Sequence, residues 1–302
     1  MNGRQRPQFE RRSDAVSLLV VAAHLAFVLC PVFLGAWVGV SPWLVPLWFW
    51  FGLAFHGMLN LWHESSHALV FQERARNEVL GRWVLAPLIL GEFDTYKQRH
   101  WDHHRFVGEE NDTKDAYLLD LHGSRVLGFL VRCLTLQEAI QKLKRTGDTS
   151  AATPPSSTWL ARAAVVHGAL FASLFFVALS NDRGPLLAFF AAGFAWGGIF
   201  IYGMAGLTLF VASLRTLCEH GVADDGTARV GRAALRNFAC GPIERLLMGS
   251  YGFAEHATHH REPAVPSYRL REATAQLVEQ GAAELRPCEG GYHARLREIV
   301  AG

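Results

Sequence analysis

Residues 42–67 read PWLVPLWFWFGLAFHGMLNLWHESSH, an apolar run that ends in two histidines spaced four residues apart. Two similar boxes follow, at residues 100–104 (HWDHH) and 256–260 (HATHH), and His220 stands alone between them. Nine of the 14 histidines therefore fall into three short boxes and one outlier. One H-x-x-x-H motif arises readily by chance at this histidine content, but two H-x-x-H-H boxes do not. The clustering therefore indicates a metal site with many imidazole ligands.

The composition indicates a membrane protein that handles no nucleic acid. Half of the 302 residues are hydrophobic, which is more than an ordinary soluble domain contains. The formal net charge of +2 gives a nucleic-acid partner no electrostatic support. The five cysteines form no C-x-x-C pair. They exclude a zinc knuckle, an iron–sulfur cluster and a disulfide framework, and they fit a reducing compartment.

Four apolar segments are long enough to cross a bilayer, at about 15–40, 42–62, 161–180 and 185–213. They predict an all-α integral membrane protein with four transmembrane helices in two hairpins. Residues 63–160 and 214–302 would form a helical cap that carries the histidine boxes, and the whole chain, 1–302, a single domain. A shorter apolar stretch at 79–91, interrupted by Arg82 and Pro87, is more typical of an interfacial or re-entrant segment. Residues 149–158, rich in Ser, Thr, Pro and Ala, predict a loop.

The distribution of basic residues predicts the orientation in the membrane. Of the 29 Lys and Arg residues, only Arg183 falls in the two turns on the outer side. A basic cluster, Arg4, Arg6, Arg11 and Arg12, precedes the first span. The positive-inside rule therefore makes both termini (including the 1–14 arm) and the histidine boxes cytoplasmic, and we expect a bacterial inner membrane. All nine histidines then lie on one membrane face at similar depth.

The spacing within the boxes favours two metal ions. Histidines at i and i+4 project from one face of a helix, and the inserted neighbour in each H-x-x-H-H box points about a quarter turn away, toward a second ion. Imidazole suits iron, zinc, copper and nickel. A pair of redox metals beside lipid suggests oxidation of an apolar molecule by dioxygen, with iron preferred over copper and zinc.

The remaining histidines do not fit this pattern. His24 and His167 are isolated in apolar spans, where a lone histidine usually forms a hydrogen bond with a neighbouring helix. We assign no metal role to them, nor to His122 and His293. His56 lies seven residues before His63 on the same helical face, so it would line a substrate tunnel or orient a ligand.

The order H-x-x-x-H, H-x-x-H-H, H-x-x-H-H, divided by two membrane hairpins, resembles the membrane fatty-acid desaturase family. The resemblance covers roughly residues 40–270. The run His259-His260-Arg261-Glu262-Pro263-Ala264-Val265-Pro266-Ser267-Tyr268-Arg269-Leu270 is similar to the family's sequence after its last box. The stretch Arg215-Thr216-Leu217-Cys218-Glu219-His220 resembles the place where the family carries an extra histidine ligand after the fourth span.

The resemblance implies a non-haem diiron oxidase that uses dioxygen and two external electrons to remove two hydrogens from an acyl chain. It implies that the two iron ions are held by His63, His67, His100, His103, His104, His220, His256, His259 and His260. The nearest carboxylates, Glu64, Asp102, Glu219 and Glu255, would orient imidazoles through their other ring nitrogen, and His56 would support them. Some relatives hold a water molecule with an asparagine four residues before the extra histidine. Here that residue is Thr216.

Four other functions remain open on the sequence. His63-Glu64-Ser65-Ser66-His67 satisfies H-E-x-x-H, the zinc-protease motif, but a protease leaves the other boxes unexplained. An enzyme that inserts oxygen into a lipid, alkane or carotenoid (a hydroxylase or ketolase) would share the diiron site, as would an acetylenase. A membrane haem or metal carrier is the non-enzymatic alternative.

The sequence also predicts the partners. An acyl substrate, as a fatty acid, thioester or lipid, would come from the bilayer. No electron-carrier domain is visible, so electrons would come from a separate ferredoxin or small haem protein. Lys142, Lys144 and Arg145 are candidates for docking an acidic carrier, with contact to solvent or anionic lipid as the alternative.

Overall fold

In the computed structural model, the described residues are 9–107, 109, 111–113, 121, 123–148, 157–220 and 235–301. This part of the chain is helical, and it contains no strand beyond one isolated bridge between Phe238 and Cys288. The first seven α-helices are α1 (Asp14–Val38), α2 (Leu44–Ser66), α3 (Arg74–Val79), α4 (Ala86–Ile89), α5 (Phe93–Phe106), α6 (Ser124–Leu134) and α7 (Gln137–Asp148). The others are α8 (Ser157–Leu179), α9 (Pro185–Phe194), α10 (Leu209–Glu219), α11 (Pro242–Leu247), α12 (His256–Arg261), α13 (Leu270–Glu279) and α14 (Gly291–Ala301).

Among the described residues, four helices are long and apolar enough to cross a membrane, as the sequence predicts. They span Asp14–Val38, Leu44–Ser66, Thr158–Leu179 and Pro185–Glu219. The last consists of α9, two π-helical turns (Ala195–Ile201 and Met204–Thr208) and α10. α1 packs against α2, and α8 packs against α9. Residues 149–156 of the predicted loop, together with His122, Arg4 and Arg6, lie outside the described residues. The last two residues of that predicted loop, 157 and 158, instead begin α8.

The second and fourth spans run further than predicted, to Ser66 and Glu219 instead of 62 and 213. The sequence places the end of each span where polar residues begin. In the second span the helix continues because two of those polar residues bond within it. The hydroxyls of Ser65 and Ser66 donate to the carbonyls of Trp62 and His63, each at 2.7 Å. The first histidine box is therefore the last helical turn of α2.

The segment that leads to the second box is a chain of short helices. Residues 74–89 form α3, a π-helical segment (Leu80–Leu85) and α4, and α4 packs against α8. The side chain of Glu92 caps α5 by accepting a hydrogen bond from the Thr95 amide at 2.6 Å. Tyr96 of α5 stacks on Trp62 of α2, with ring centroids 4.1 Å apart. This stack places α5 against the end of the second span.

The third box depends on contacts with residues both before and after it in the chain. Before the box, Tyr251 and Gly252 adopt φ values of 53° and 77°, and this turn directs the chain into α12. Asn237 then accepts a hydrogen bond from the Thr258 amide at 3.1 Å and donates to the Thr258 hydroxyl at 2.9 Å. Asn237 also donates to the Leu285 carbonyl at 2.7 Å. These bonds tie α12 to the C-terminal segment.

Gly81 offers a test of how α5 is positioned. A Cβ atom at Gly81 would collide with the Phe93 ring, whereas one at Gly193 would have no atom within 4 Å. We expect Gly81→Ala to lower the free energy of unfolding by about 1–3 kcal/mol, because α5 would have to move. Gly193→Ala is the matched control and should be neutral or slightly stabilising, because alanine favours a helix. Thermal unfolding in detergent measures both, and equal stability of the two variants would contradict this packing.

Candidate metal centre

The three boxes and His220 together supply nine histidines. These side chains meet where four helices end or begin. His63 is in the last turn of α2 and His67 caps it, His220 caps α10, and the second and third boxes lie within α5 and α12. Eight of the nine side chains are buried and His104 is half-buried. Segments up to about two hundred residues apart in sequence therefore contribute side chains to one buried volume.

The ring nitrogens form two separate groups. In each group, one nitrogen from every histidine lies within 4.8 Å of all the others. The five-histidine group contains His63, His67, His100, His104 and His259. The four-histidine group contains His103, His220, His256 and His260. Two groups are what a pair of metal ions would require.

The shortest distances join Nε2 atoms. His100 Nε2 lies 2.6 Å from His67 Nε2 and 3.0 Å from His104 Nε2. His104 Nε2 lies 3.2 Å from His259 Nε2. In the other group, His220 Nε2 and His256 Nε2 are 2.7 Å apart. Two imidazoles that bind one ion at metal–nitrogen distances of about 2.1 Å hold their nitrogens roughly 3 Å apart. The Nε2 atoms within each group are therefore spaced as ligands that share one ion would be.

The division between the groups follows the helical geometry of the boxes. His100 and His104, at i and i+4, belong to one group, while the inserted His103 belongs to the other. In the third box His256 and His260 share a group, while the inserted His259 belongs to the opposite one. Adjacent helical residues diverge by about 100°. Each H-x-x-H-H box therefore contributes to both groups, and this is how one helix can serve two ions.

The donor set fits transition-metal ions. Both ring nitrogens of His63 and of His260 are buried and lack a hydrogen-bond partner among the described residues. A buried polar atom without a partner costs about 1–3 kcal/mol, and a metal ion would satisfy it. Burial and the neighbouring imidazoles lower the pKa of His260 well below its usual value. The ring is therefore neutral, the form that binds a metal.

Asp112 is the functional residue that the sequence analysis missed. Its Oδ1 lies 2.7 Å from His103 Nδ1, and the side chains are 2% and 0% exposed. A carboxylate at the outer nitrogen orients an imidazole so that its other nitrogen faces the metal. Asp112 stands eight residues after the second box, in the acidic run Glu109-Glu110-Asn111-Asp112. That acidic run was the only sign in the sequence of a carboxylate partner for the second box. Spacing along the chain does not show which of its carboxylates contacts a histidine.

Three of the predicted carboxylates form no hydrogen bond with a histidine in the part of the chain that the structure describes. Glu64 Oε1 accepts a hydrogen bond from the Ser267 amide at 2.7 Å, and Glu255 forms a two-bond ion pair with Arg245 at 2.8 and 2.7 Å. Among the described residues, Asp102 has no hydrogen bond or ion pair with a histidine. Glu64 and Glu255 hold the polypeptide around the site, because each bonds a residue near the third box.

Glu219 differs from the other three carboxylates because it lies beside a ring nitrogen of the four-histidine group. Its Oε2 is 3.9 Å from His256 Nε2, and the side chain is fully buried. Arg215 and Tyr292 both donate hydrogen bonds to this carboxylate. Thr216, at the position of the family's asparagine, donates instead to the Ala212 carbonyl at 2.7 Å.

Among the described residues, the histidines that stand outside the boxes also lie outside both groups, as expected. His167 Nε2 lies 3.1 Å from the Pro87 carbonyl and its Nδ1 accepts a hydrogen bond from Trp196, so it joins neighbouring helices. His24 packs edge-on against Tyr251, and the exposed His293 lies beside Glu244. His56 is buried and donates from Nδ1 to the Leu247 carbonyl at 3.1 Å. That contact ties α2 to α11 and does not reach a box histidine.

Asp112 and Asp102 form a matched pair for mutation. We expect Asp112→Ala to weaken metal binding by roughly 10–100-fold, because His103 would lose the partner that fixes its ring. Asp102→Ala, which removes a carboxylate without a histidine contact, should leave the affinity unchanged. Competition titrations of Co²⁺ against a chelator measure both variants. Equal affinities for the two would exclude the orienting role of Asp112.

The comparison with known proteins agrees with this geometry. The profile of the family described as Fatty acid desaturase matches residues 41–289, most of the chain and all three boxes. A search of curated proteins finds no match. The matched region contains the nine clustered histidines, while α14 with Tyr292 follows it. The chain therefore belongs to the fatty acid desaturase family.

Proposed function

We propose that this protein is a dioxygen-dependent diiron desaturase that introduces a double bond into the acyl chain of a fatty acid or lipid. Membership of the family implies an oxidoreductase of the desaturase or hydroxylase type. The single observation that carries the proposal is the presence of two adjacent groups of convergent imidazole nitrogens. An enzyme with one catalytic ion would need only one of them.

In this proposal all nine clustered histidines are iron ligands, five for one ion and four for the other. Neutral imidazole binds iron, copper and zinc, but only a redox metal can pass electrons to dioxygen. When bound, the two ferrous ions would supply the activation of dioxygen that breaking an unactivated C–H bond requires. Overall, two electrons, two protons and dioxygen convert a pair of adjacent methylenes into a double bond, with release of two water molecules.

The protein's own residues would prepare the site for this chemistry. Burial keeps the His260 imidazole neutral, and it excludes bulk water from the centre, which limits side reactions of a reduced metal with dioxygen. The Phe253 ring lies 4.7 Å from the ring of His63 and 5.3 Å from that of His256, so an apolar surface touches both groups. The spans beside the centre would hold the acyl chain, and their shape would select the carbon atom.

The zinc-protease alternative is weakened by the position of Glu64. A protease would use this residue as the general base of H-E-x-x-H. Its Oε1 is instead bound to the Ser267 amide, and the protease has no use for the four-histidine group. Oxygen insertion begins with the same hydrogen abstraction as desaturation, so it is the competing outcome of the product analysis below.

We also propose the orientation and partners that the charge pattern predicts. Both termini and the metal centre would face the cytoplasm of a bacterial cell, and the whole chain would act as one membrane domain. A separate ferredoxin or small haem protein would deliver the two electrons one at a time. The exposed Lys142 and Lys144 on α7 are candidate contacts for it, whereas the side chain of Arg145 lies outside the described residues.

Product analysis tests the reaction. The protein is expressed in a host of known lipid composition, and all lipid classes are examined by mass spectrometry. Loss of two hydrogen atoms from an acyl chain supports desaturation, and gain of one oxygen atom supports a hydroxylase. His259→Ala and His103→Ala, one from each group, should both abolish the change, because each removes a proposed ligand. His293→Ala, an exposed histidine outside both groups, is the control and should remain active.

The carrier contact has its own test. We expect the double variant Lys142→Glu, Lys144→Glu to slow reduction by an acidic ferredoxin about tenfold or more, because electrostatic steering accelerates encounter. Reduction by dithionite, a small reductant, should be unaffected. If ferredoxin reduces the variant as fast as the wild type, these lysines do not dock the carrier, and contact of α7 with lipid becomes the preferred explanation.

A further inference from the structure

A cavity of about 550 Å³ lies between the protein surface and the metal centre. His104 of the five-histidine group and His260 of the four-histidine group both line it, as does the exposed Arg105. His104 is also the one clustered histidine that is half-buried instead of buried. Two residues of the N-terminal arm, Phe9 and Arg11, form part of the same wall. The arm therefore stands beside an approach that reaches both groups.

The part of the arm at residues 9–12, named the strap below, is bonded to two separate loops. Arg11 Nη1 donates to the Ala68 carbonyl at 3.0 Å, in the loop that follows the first box. The Arg12 amide donates to the Tyr268 hydroxyl at 2.7 Å, and the Arg12 guanidinium lies 4.7 Å from the centroid of that ring. Tyr268 belongs to the run that follows the third box. The strap therefore bridges the loops after two of the boxes.

Phe9 is the apolar anchor of the strap. It packs against the buried cluster of Val265, Leu270 and Ala273. Val265 is also part of the cavity wall. Because Phe9 lines the cavity and is itself only half-buried, its ring stands between the cavity and the solvent at this edge. Burial of apolar surface is the interaction that holds it there.

The strap can detach while the first span stays in place. α1 begins at Asp14, and Ser13 caps it by accepting a hydrogen bond from the Val16 amide. Asp14 is held separately, because its Oδ1 accepts a hydrogen bond from the Gln72 amide at 2.7 Å. The bonds of the strap to the two loops are exposed, and exposed hydrogen bonds contribute little net stability. Segments with such contacts open while the rest of a protein remains folded.

We propose that the strap is a gate over the approach to the metal centre. In the closed position seen in the structure, it restricts the passage of water-soluble molecules to His104 and His260, and its detachment opens the cavity. On the proposed function, the gate would keep soluble reductants and chelators from the ions and would open when the ions are loaded. The strap precedes residues 41–289, which the family profile matches. The gate is thus a device of this chain's own N-terminal arm.

Thiol labelling of the purified protein measures the opening of the strap without reference to metal. Val265→Cys places a thiol in the cavity wall beside Phe9. Its reaction with N-ethylmaleimide, an uncharged reagent, is followed by mass spectrometry of the peptides. The exposed Cys288 is the internal reference, and the buried Cys218 reports whether the protein is folded.

Arg11→Ala, made in the Val265→Cys background, is the decisive variant because Arg11 holds the strap at the opposite loop. We expect labelling at position 265 to become about tenfold faster or more, since loss of this bond raises the open population of the whole strap. Phe9→Ala should act in the same direction. Arg105→Ala, which removes a charge from the same cavity wall but leaves the strap intact, should label as slowly as the parent.

Two results of this labelling would overturn the gate. One is an unchanged rate at position 265 in Arg11→Ala, which would show that the strap does not move as a unit. The other is a matching rise at Cys218, which would show that the variant loosens the protein as a whole.

Metal exchange tests the role of the gate at the ions, which rests on the proposed function. Uptake of Co²⁺ and its removal by EDTA should both become about tenfold faster in Arg11→Ala, with the dissociation constant unchanged, because a gate alters the path and not the bound state. Loss of a positive charge also favours an incoming cation. Arg105→Ala measures that effect, and an equal acceleration there would overturn the gate.

Weaker Co²⁺ binding in Arg11→Ala would mean that the strap positions ligands, and it would also overturn the gate. Failure of the proposed function looks different. A wild-type protein that binds no metal, but whose thiol at position 265 is still protected by the strap, would refute the diiron centre and leave the gate in place.

Discussion

Nine imidazoles can share one buried volume only if their nitrogens have partners, because a buried nitrogen without one destabilises the fold. The rest of the structure is arranged around this constraint. Two spans end at the centre, in His67 and His220, and two shorter helices, α5 and α12, lie against those ends. On the proposed function, metal binding and folding would therefore be coupled, because the ions would satisfy nitrogens such as those of His63 and His260.

The surroundings of the centre divide into two kinds of contact. Around both groups, aromatic rings pack on the histidines, as Tyr96 does on His100 and Phe253 on His63. Around the four-histidine group, buried charges are added, namely Asp112 at His103 and the Arg215–Glu219 pair near His256. Charged groups tune the affinity and the bound water of a nearby ion more strongly than apolar ones. The two ions would therefore differ in their properties although both are held by histidine.

The division of the histidines into two groups follows helical periodicity. The i, i+4 spacing of His100 and His104, with His103 turned away, is a local property of any helix, and the groups follow it. The expectation for Glu64, Asp102 and Glu255 relied on proximity along the chain, and Glu64 and Glu255 form their bonds with Ser267 and Arg245 instead of a histidine. Which carboxylate reaches a ring depends on loops and distant helices. Asp112 returns from the loop after α5, and Glu64 turns to Ser267, more than two hundred residues away.

The sequence alone determined the all-helical class, the four apolar spans and the nine histidines that cluster, because length, hydropathy and helical spacing are local properties. Only the tertiary structure decided how the histidines divide into groups of five and four, and which charges stand beside them. It also brought Tyr292, from the helix that follows the matched family region, to the carboxylate of Glu219. These contacts depend on the packing of segments far apart in the chain, and no local pattern encodes that packing.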